Sequence, residues 1–355
     1  MLRQKPINLV HAMNKINAVM LAGLSSIVLP ALAATPQISA IEGELDQGSE
    51  IIILGRDFGS PNFSFIFRDD ANENLLIERL TSLSSITQGD AWVRQGSAWA
   101  EPLTQYTGKD LARGSDSNVY RGTGKAYLGW PEALNGRSNE TLFISWWFNP
   151  LMDPGANGGS NKFLRVWDHP NGEHTRMAWD QMHIVYWRKD VDSSGFIEWG
   201  GWSGNVGSWN KIDAWMDSNT NKMIIHVNGR EVIDVDDFRK SNVSEGLDVA
   251  LIGFDPSIGD NYRNMVFGID DVYISNSRAR IEVSNSETWK EGITSEIITP
   301  ISWSDNEISF KLDLAVVDKS SPLYFYVINS SGEVNSRGFA KSSRAPSKIE
   351  ELVIE

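Results

Sequence analysis

Cysteine is absent from the 355 residues. That excludes disulfide scaffolds, thiolate metal sites and cysteine nucleophiles. Histidine is scarce, at 5 residues against 14 tryptophans. Basic residues are outnumbered, with 32 Lys and Arg against 46 Asp and Glu, so the formal net charge is −14. A field of that sign repels phosphate backbones and argues against a nucleic-acid partner. No G-x-S-x-G, Walker loop or H-E-x-x-H occurs, which removes the best-marked hydrolase, nucleotide and zinc-protease sites. Past the N-terminus no apolar run approaches the length of a membrane span. What remains is ordinary globular composition, 41% hydrophobic and 22% charged, rich in Gly, Asn and Ser. The length predicts two domains, or three.

Residues 1–33 carry Arg3, Lys5 and Lys15 and no acidic residue. An apolar stretch from Ile16 to Leu29 follows, then Pro30 and Ala31-Leu32-Ala33, a small-x-small cleavage site. This reads as a Sec-type signal peptide, and the apolar run is short and broken by Gly23 and Ser25-Ser26. Ala34 follows the expected cut, so no lipoprotein anchor is indicated. The expected product is exported to the periplasm, cell surface or medium, with no membrane span.

Downstream, runs of five to eight alternating or apolar residues recur between turn clusters, the all-β signature. Glu50–Leu54, Ser64–Arg68, Leu142–Phe148, Met182–Arg188, Trp209–Met216 and Phe267–Ser275 are among the clearest. Asn228-Gly229 is a strong type I′ hairpin signal, because that turn needs positive φ at both central residues.

Two segments at opposite ends resemble parts of one module. Gly48, Ile51, Ile53, Gly55, Phe58 and Gly59 match the opening of an IPT/TIG domain, an immunoglobulin-like sandwich. Ile301-Ser-Trp-Ser-Asp and Leu323-Tyr-Phe-Tyr-Val resemble its later strands. The resemblance implies one sandwich split between residues 36–68 and 286–342, together roughly 90 residues, about one immunoglobulin-like domain. The insert, 69–285, is too long to be a loop. Leu142-Phe-Ile-Ser-Trp-Trp-Phe, Trp209-Asn-Lys-Ile-Asp, Lys222-Met-Ile-Ile-His-Val-Asn-Gly and Phe267-Gly-Ile-Asp-Asp-Val-Tyr-Ile resemble the concanavalin/laminin-G-like jelly rolls. Residues 343–355 read as a polar tail. The expected fold is therefore all-β: a jelly-roll sandwich plus an immunoglobulin-like β-sandwich made of two discontinuous segments.

Ten tryptophans fall between Trp130 and Trp215, more than one small core is expected to hold. Neighbours on a strand face opposite ways. Of Trp146 and Trp147, one should therefore face the core and the other a concave surface or solvent. Exposed rings suit stacking on sugar faces, with an indole N–H for a hydroxyl. Trp199, Trp202, Trp187 and Tyr186 are the candidate contacts, and Glu198-Trp-Gly-Gly-Trp-Ser203 the best candidate loop.

Asp190-Val-Asp-Ser-Ser-Gly-Phe-Ile-Glu198 matches nine positions of an EF-hand-type loop. Asp190, Asp192, Ser194, Phe196 and Glu198 would ligate a structural calcium ion. The pattern lacks the bidentate Glu at position twelve, where Gly201 stands, and its flanks read as strand. Asp270-Asp271 is a rival calcium position. His169 and His174 lie in a Pro/Asn/Gly-rich loop without helical ligand spacing.

Gln181-Met-His183, with Tyr186 and Arg188 on the same run, resembles the Q-x-H strand of alginate-lyase jelly rolls. There a Tyr/His pair removes the proton α to a uronate carboxyl while amide and cationic groups neutralise it. Gln181, His183, Tyr186, Arg188 and Arg165 would play such parts here. Alternation puts Gln181 and His183 on one face and Tyr186 and Arg188 on the other. The family's late Y-x-K-x-G-x-Y strand has no counterpart, nor does the E-x-D-x-x-E strand of glycoside-hydrolase jelly rolls. The leading expectation is non-catalytic binding of an extracellular polysaccharide or surface glycan by aromatic stacking. Its alternatives are a polysaccharide lyase acting by β-elimination and an adhesion or protein-docking module.

Overall fold

A computed structural model describes residues 34–71, 92–93, 101–114, 118–124, 126–131, 134, 136–155, 161–168, 175–180, 183–189, 194–198, 202–256, 262–313 and 321–341. Among the described residues there is no α-helix, and nearly all strand pairing is antiparallel. Fold class is as the alternation predicts.

Two large sheets carry most of the chain. One has eight strands and runs Arg230–Val235, Lys222–Val227, Asn210–Asp217, Thr141–Pro150, Val266–Ser275, Val119–Thr123 and Thr104–Tyr106, with Ile66–Asp69 also pairing Val266–Ser275. The other has seven and runs Ser194–Glu198, His183–Trp187, Thr175–Asp180, Asn161–Trp167, Asp248–Pro256, Ala126–Leu128 and Glu101–Pro102. Their facing sides share one core. Trp146, Phe148 and Ile212 enter it from the first sheet, and Leu164, Met177, Trp179 and Ile184 from the second.

A smaller sandwich joins the chain's two ends. Gln37–Glu42, Glu50–Arg56, Glu307–Lys311 and Pro300–Trp303 form one four-stranded sheet. Glu296–Ile298, Arg280–Ser284, Leu323–Ile328 and Phe339–Lys341 form another. Ile51 and Ile53 alternate with half-buried neighbours on their strand and meet Ile281, Val283, Ile308, Phe310, Phe325 and Val327 in a separate core. Two strands lie across the boundaries expected from sequence. Ile66–Asp69 pairs within the eight-stranded sheet, because Ile66 and Phe67 are buried in the large core. Arg280–Ser284 pairs with Leu323–Ile328 in the small sandwich.

The small sandwich covers the outer face of the eight-stranded sheet. This explains why nine of the ten residues of Thr141–Pro150 are buried. Trp146 faces the core as alternation requires, but Trp147 does not face solvent. Its indole N–H donates to Glu296 Oε2 at 3.1 Å, and the Arg113 guanidinium lies 4.6 Å from its ring centre. Among the described residues the exposed large hydrophobics are Leu151 and Val206, with no tryptophan. The described rings distribute over the large core, the contact between sandwiches and half-buried positions, so no single core has to hold them.

Asp248, opposite Trp167 at the start of its strand, is buried with one backbone donor, the Val249 N–H at 2.7 Å. Burial pushes its carboxyl from 3.8 up to about 8. The folded state thus holds a proton that the unfolded state releases near pH 4. Stability from this group is full below that pH and is lost as pH rises towards 8. Asp248→Asn keeps the shape without the titration. The variant's melting temperature should gain on the wild type's steadily between pH 4 and 8. A difference that stays constant over that window would refute the assignment.

Candidate functional site

The outer face of the seven-stranded sheet carries the half-buried Arg165, Val185 and Trp187 beside buried neighbours, and it is where a site can be sought. Leu164, Val166, Met177, Trp179, Ile184 and Tyr186 point into the core. Their strand neighbours Arg165, Ala178, Val185 and Trp187 therefore point the other way. The ladder aligns Phe196, Val185, Ala178, Arg165 and Leu251 in one cross-strand row. An adjacent row holds Glu198, His183, Asp180, Lys162 and Asp255. Tyr127 and Leu251, both buried, make a small apolar cluster apart from the main core.

The charges on this face are unevenly satisfied. Arg176 is 2% exposed and Asp168 fully buried. Arg176 Nε donates to both carboxylate oxygens of Asp168 at 2.9 Å, and Asp168 also accepts the Ser241 N–H at 2.6 Å. The same guanidinium lies 4.6 Å from the centre of the half-buried Trp187 ring, a cation–π contact that fixes the ring. Arg165 is half-buried, and its Nε–H finds no acceptor; the Trp187 indole N–H finds none either. Buried donors without acceptors are uncommon in folded proteins, and each calls for an explanation such as a water or a ligand; the core indoles of Trp146 and Trp179 share the feature.

Tyr186 lies on the core side, 6% exposed, and presents no ring face to solvent. Its hydroxyl donates to Asp237 at 2.8 Å. Burial, then that hydrogen bond, pushes its phenol up to about 12. Arg188 lies past the strand end, half-exposed, with Nε donating to the same Asp237 at 2.7 Å. Tyr186 and Arg188 are thus joined to each other through Asp237 and separated from Arg165, which shares its face with the backbone position of His183. Trp202 is half-buried, edge-on to Phe148 at 5.7 Å and Phe163 at 6.0 Å. Gln181, Asp190, Asp192 and Trp199 lie outside the described residues. Ser194, Phe196 and Glu198 sit on an extended strand in ladder with His183–Trp187. Alternate residues of a strand are about 6.6 Å apart along the chain, unlike the curled loop that wraps an EF-hand calcium. The rival pair is matched by arginines. Asp270 and Asp271 pair with Arg113, and Asp271 with Arg68 at 3.0 Å.

No family model and no curated protein sequence matches the chain. Solved structures do match. A sialidase aligns at 10% identity over 49% of this chain and 17% of its own, with a TM-score of 0.29. Domain 4 of an extracellular arabinanase from Geobacillus stearothermophilus, in complex with arabinotriose, aligns at 11% identity over 68% of this chain and 94% of its own, TM-score 0.28. A family 7 alginate lyase in complex with substrate aligns at 11% identity over 51% and 83%, TM-score 0.31. The chain thus spans less than a fifth of the sialidase. Likenesses this distant assign no role to any residue here.

Arg176, Asp168 and Tyr127 escape the sequence reading. Alternation along Thr175–Asp180 places Arg176 on the face of Ala178, and that was the available signal. Its pairing with Asp168, eight residues earlier, leaves no mark in the strand alternation. The assembled face holds a half-buried indole, a cation paired with a buried carboxylate, and a second cation whose Nε–H has no acceptor, beside the buried pair Tyr127 and Leu251. Those groups can stack on a ring and donate hydrogen bonds to oxygen.

Proposed function

We propose that the protein is exported and binds an extracellular polysaccharide or surface glycan without cleaving it, through the outer face of the seven-stranded sheet. The observation that carries this reading is the pair of unused donors, Trp187 N–H and Arg165 Nε–H, on the face that also carries Tyr127 and Leu251. Sugar hydroxyls and ring oxygens are acceptors for such donors, and the CH face of a sugar suits an indole. In this reading residues 1–33 direct export, the two large sheets form a concanavalin/laminin-G-like jelly roll, and the small sandwich is an IPT/TIG-like scaffold.

A lyase reading draws on one observation, the shared face of Arg165 and His183 in the ladder. Against it, Tyr186 faces the core with its phenol pushed up to about 12, which leaves it protonated and hydrogen-bonded at neutral pH.

The test is affinity electrophoresis through gels containing neutral and acidic polysaccharides, with and without EDTA. Retardation by at least one glycan is expected, weakened about tenfold by Trp187→Ala and by Arg165→Gln, a loss of about 1.4 kcal/mol each. Loss of retardation in EDTA would bring Asp190 and Asp192 into the site as calcium ligands. Uniform migration in every gel would reject the binding reading. Unsaturated products from a uronate polymer would replace it with the lyase.

A further inference from the structure

A cleft of about 220 Å³ opens where the small sandwich meets the edge of the eight-stranded sheet, away from the face described above. Asp213 and His226, cross-strand partners on Asn210–Asp217 and Lys222–Val227, line one side. Arg278, Arg280, Trp289 and Gly332 line the other.

Two of its cations are already paired. Lys211 Nζ lies 2.8 Å from Glu282 Oε2, and Arg280 Nε 2.5 Å from Glu282 Oε1. Burial opposes that carboxylate, but the charges of Lys211 and Arg280 outweigh it and hold Glu282 down at about 2. Arg278 is different. Its hydrogen bond is a long one, from Nη1 to the Ser331 carbonyl at 3.4 Å, and among the described residues no carboxylate lies within ion-pair distance. Burial, then the neighbouring Arg280, lowers its guanidinium to about 10. The fold makes room for it all the same. Gly332 has φ +87°, and a Cβ there would come within 2.3 Å of the guanidinium carbon. Across the cleft Asp213 Oδ2 lies 3.8 Å from Lys211 Nζ, while its Oδ1 is buried and has no donor. Arg278 is half-buried, with Glu333, Asp217 and Asp234 acting on it only beyond ion-pair distance, and a carboxylate oxygen lacking a donor is costly to bury. Trp289, half-buried against Tyr326 at 5.0 Å, supplies an aromatic wall.

We propose that this cleft binds a single acidic sugar unit, its carboxylate or sulfate on Arg278, a hydroxyl donating to Asp213 Oδ1 and its ring against Trp289. The volume suits one small group and not a polymer, being below the roughly 300–1,000 Å³ of most ligand pockets. A free inorganic anion would satisfy Arg278 but leave Asp213 without a donor, so the two sources of negative charge are separable. The site does not depend on the outer-face reading.

Isothermal titration of the full chain with glucuronate, glucose and inorganic sulfate tests it. Glucuronate should saturate one site, with glucose and sulfate at least tenfold weaker. Arg278→Gln and Asp213→Asn, on opposite walls, should each weaken glucuronate binding by tenfold or more while thermal melting confirms folding of both variants. No saturable binding of glucuronate, or binding unchanged in Arg278→Gln, overturns the site. Sulfate binding as tight as glucuronate overturns the sugar assignment.

Discussion

Arg113→Ala lowers the stability of the protein by about 3–5 kcal/mol, the cost of stranding buried charges when their partner is removed. Arg113 is 5% exposed. It pairs with Asp270 at 2.7 Å, with Glu296 at 2.8 Å and with Asp271, and it covers Trp147. Asp270 and Glu296 come from different sandwiches, so one side chain neutralises both sides of their contact. Burial already raises the Glu296 carboxyl above its ordinary range, against the pull of Arg113. Without Arg113 it rises further. The variant's deficit is therefore largest near neutral pH and shrinks in acid, where the stranded carboxylates take up protons. Urea unfolding at neutral and acidic pH measures this. A deficit below about 1 kcal/mol, the range of exposed pairs, or one that grows in acid, would refute the account.

Asp168→Ala has an effect of similar size by the same physics, about 3–5 kcal/mol. Here the stranded group is Arg176, 2% exposed. The Ser241 N–H also loses its acceptor. The pair sits behind Trp187, so the variant should lose glycan retardation together with stability. Replacing both partners, Asp168→Leu with Arg176→Met, removes the buried charges altogether and should recover most of the stability. It should not recover binding if the guanidinium positions the ring. A double variant as unstable as Asp168→Ala would mean that packing, and not charge, sets the cost.

Strand alternation is local, and so it was legible. Glu50–Leu54 and Leu142–Phe148 are recognisable from their residues and occur as Glu50–Arg56 and Thr141–Pro150. What covers a face is not local. Alternation sends Trp147 away from the core but carries no record of the Glu296 strand that closes over it. The same gap made Tyr186 a candidate contact. Its aromatic type suits a sugar, yet its parity on His183–Trp187 puts it with Ile184 in the core. Arg165 could be named as a candidate from sequence. Its lack of an acceptor is a property of three-dimensional neighbours and appears only in the structure.

The two strands that close the small sandwich stand at opposite ends of the chain, Glu50–Arg56 against Glu307–Lys311. Synthesis at roughly 5–20 residues per second separates their appearance by on the order of ten seconds or more. During that wait Ile51 and Ile53 have no partner sheet, whereas the strands between Ile66 and Ser275 can pair among themselves as they emerge. This early apolar strand is thus among the last to be buried. A chain cut short before Glu307 would keep it as a bare edge, a template for joining other chains, so burial of this early strand waits on the segment that carries Glu307.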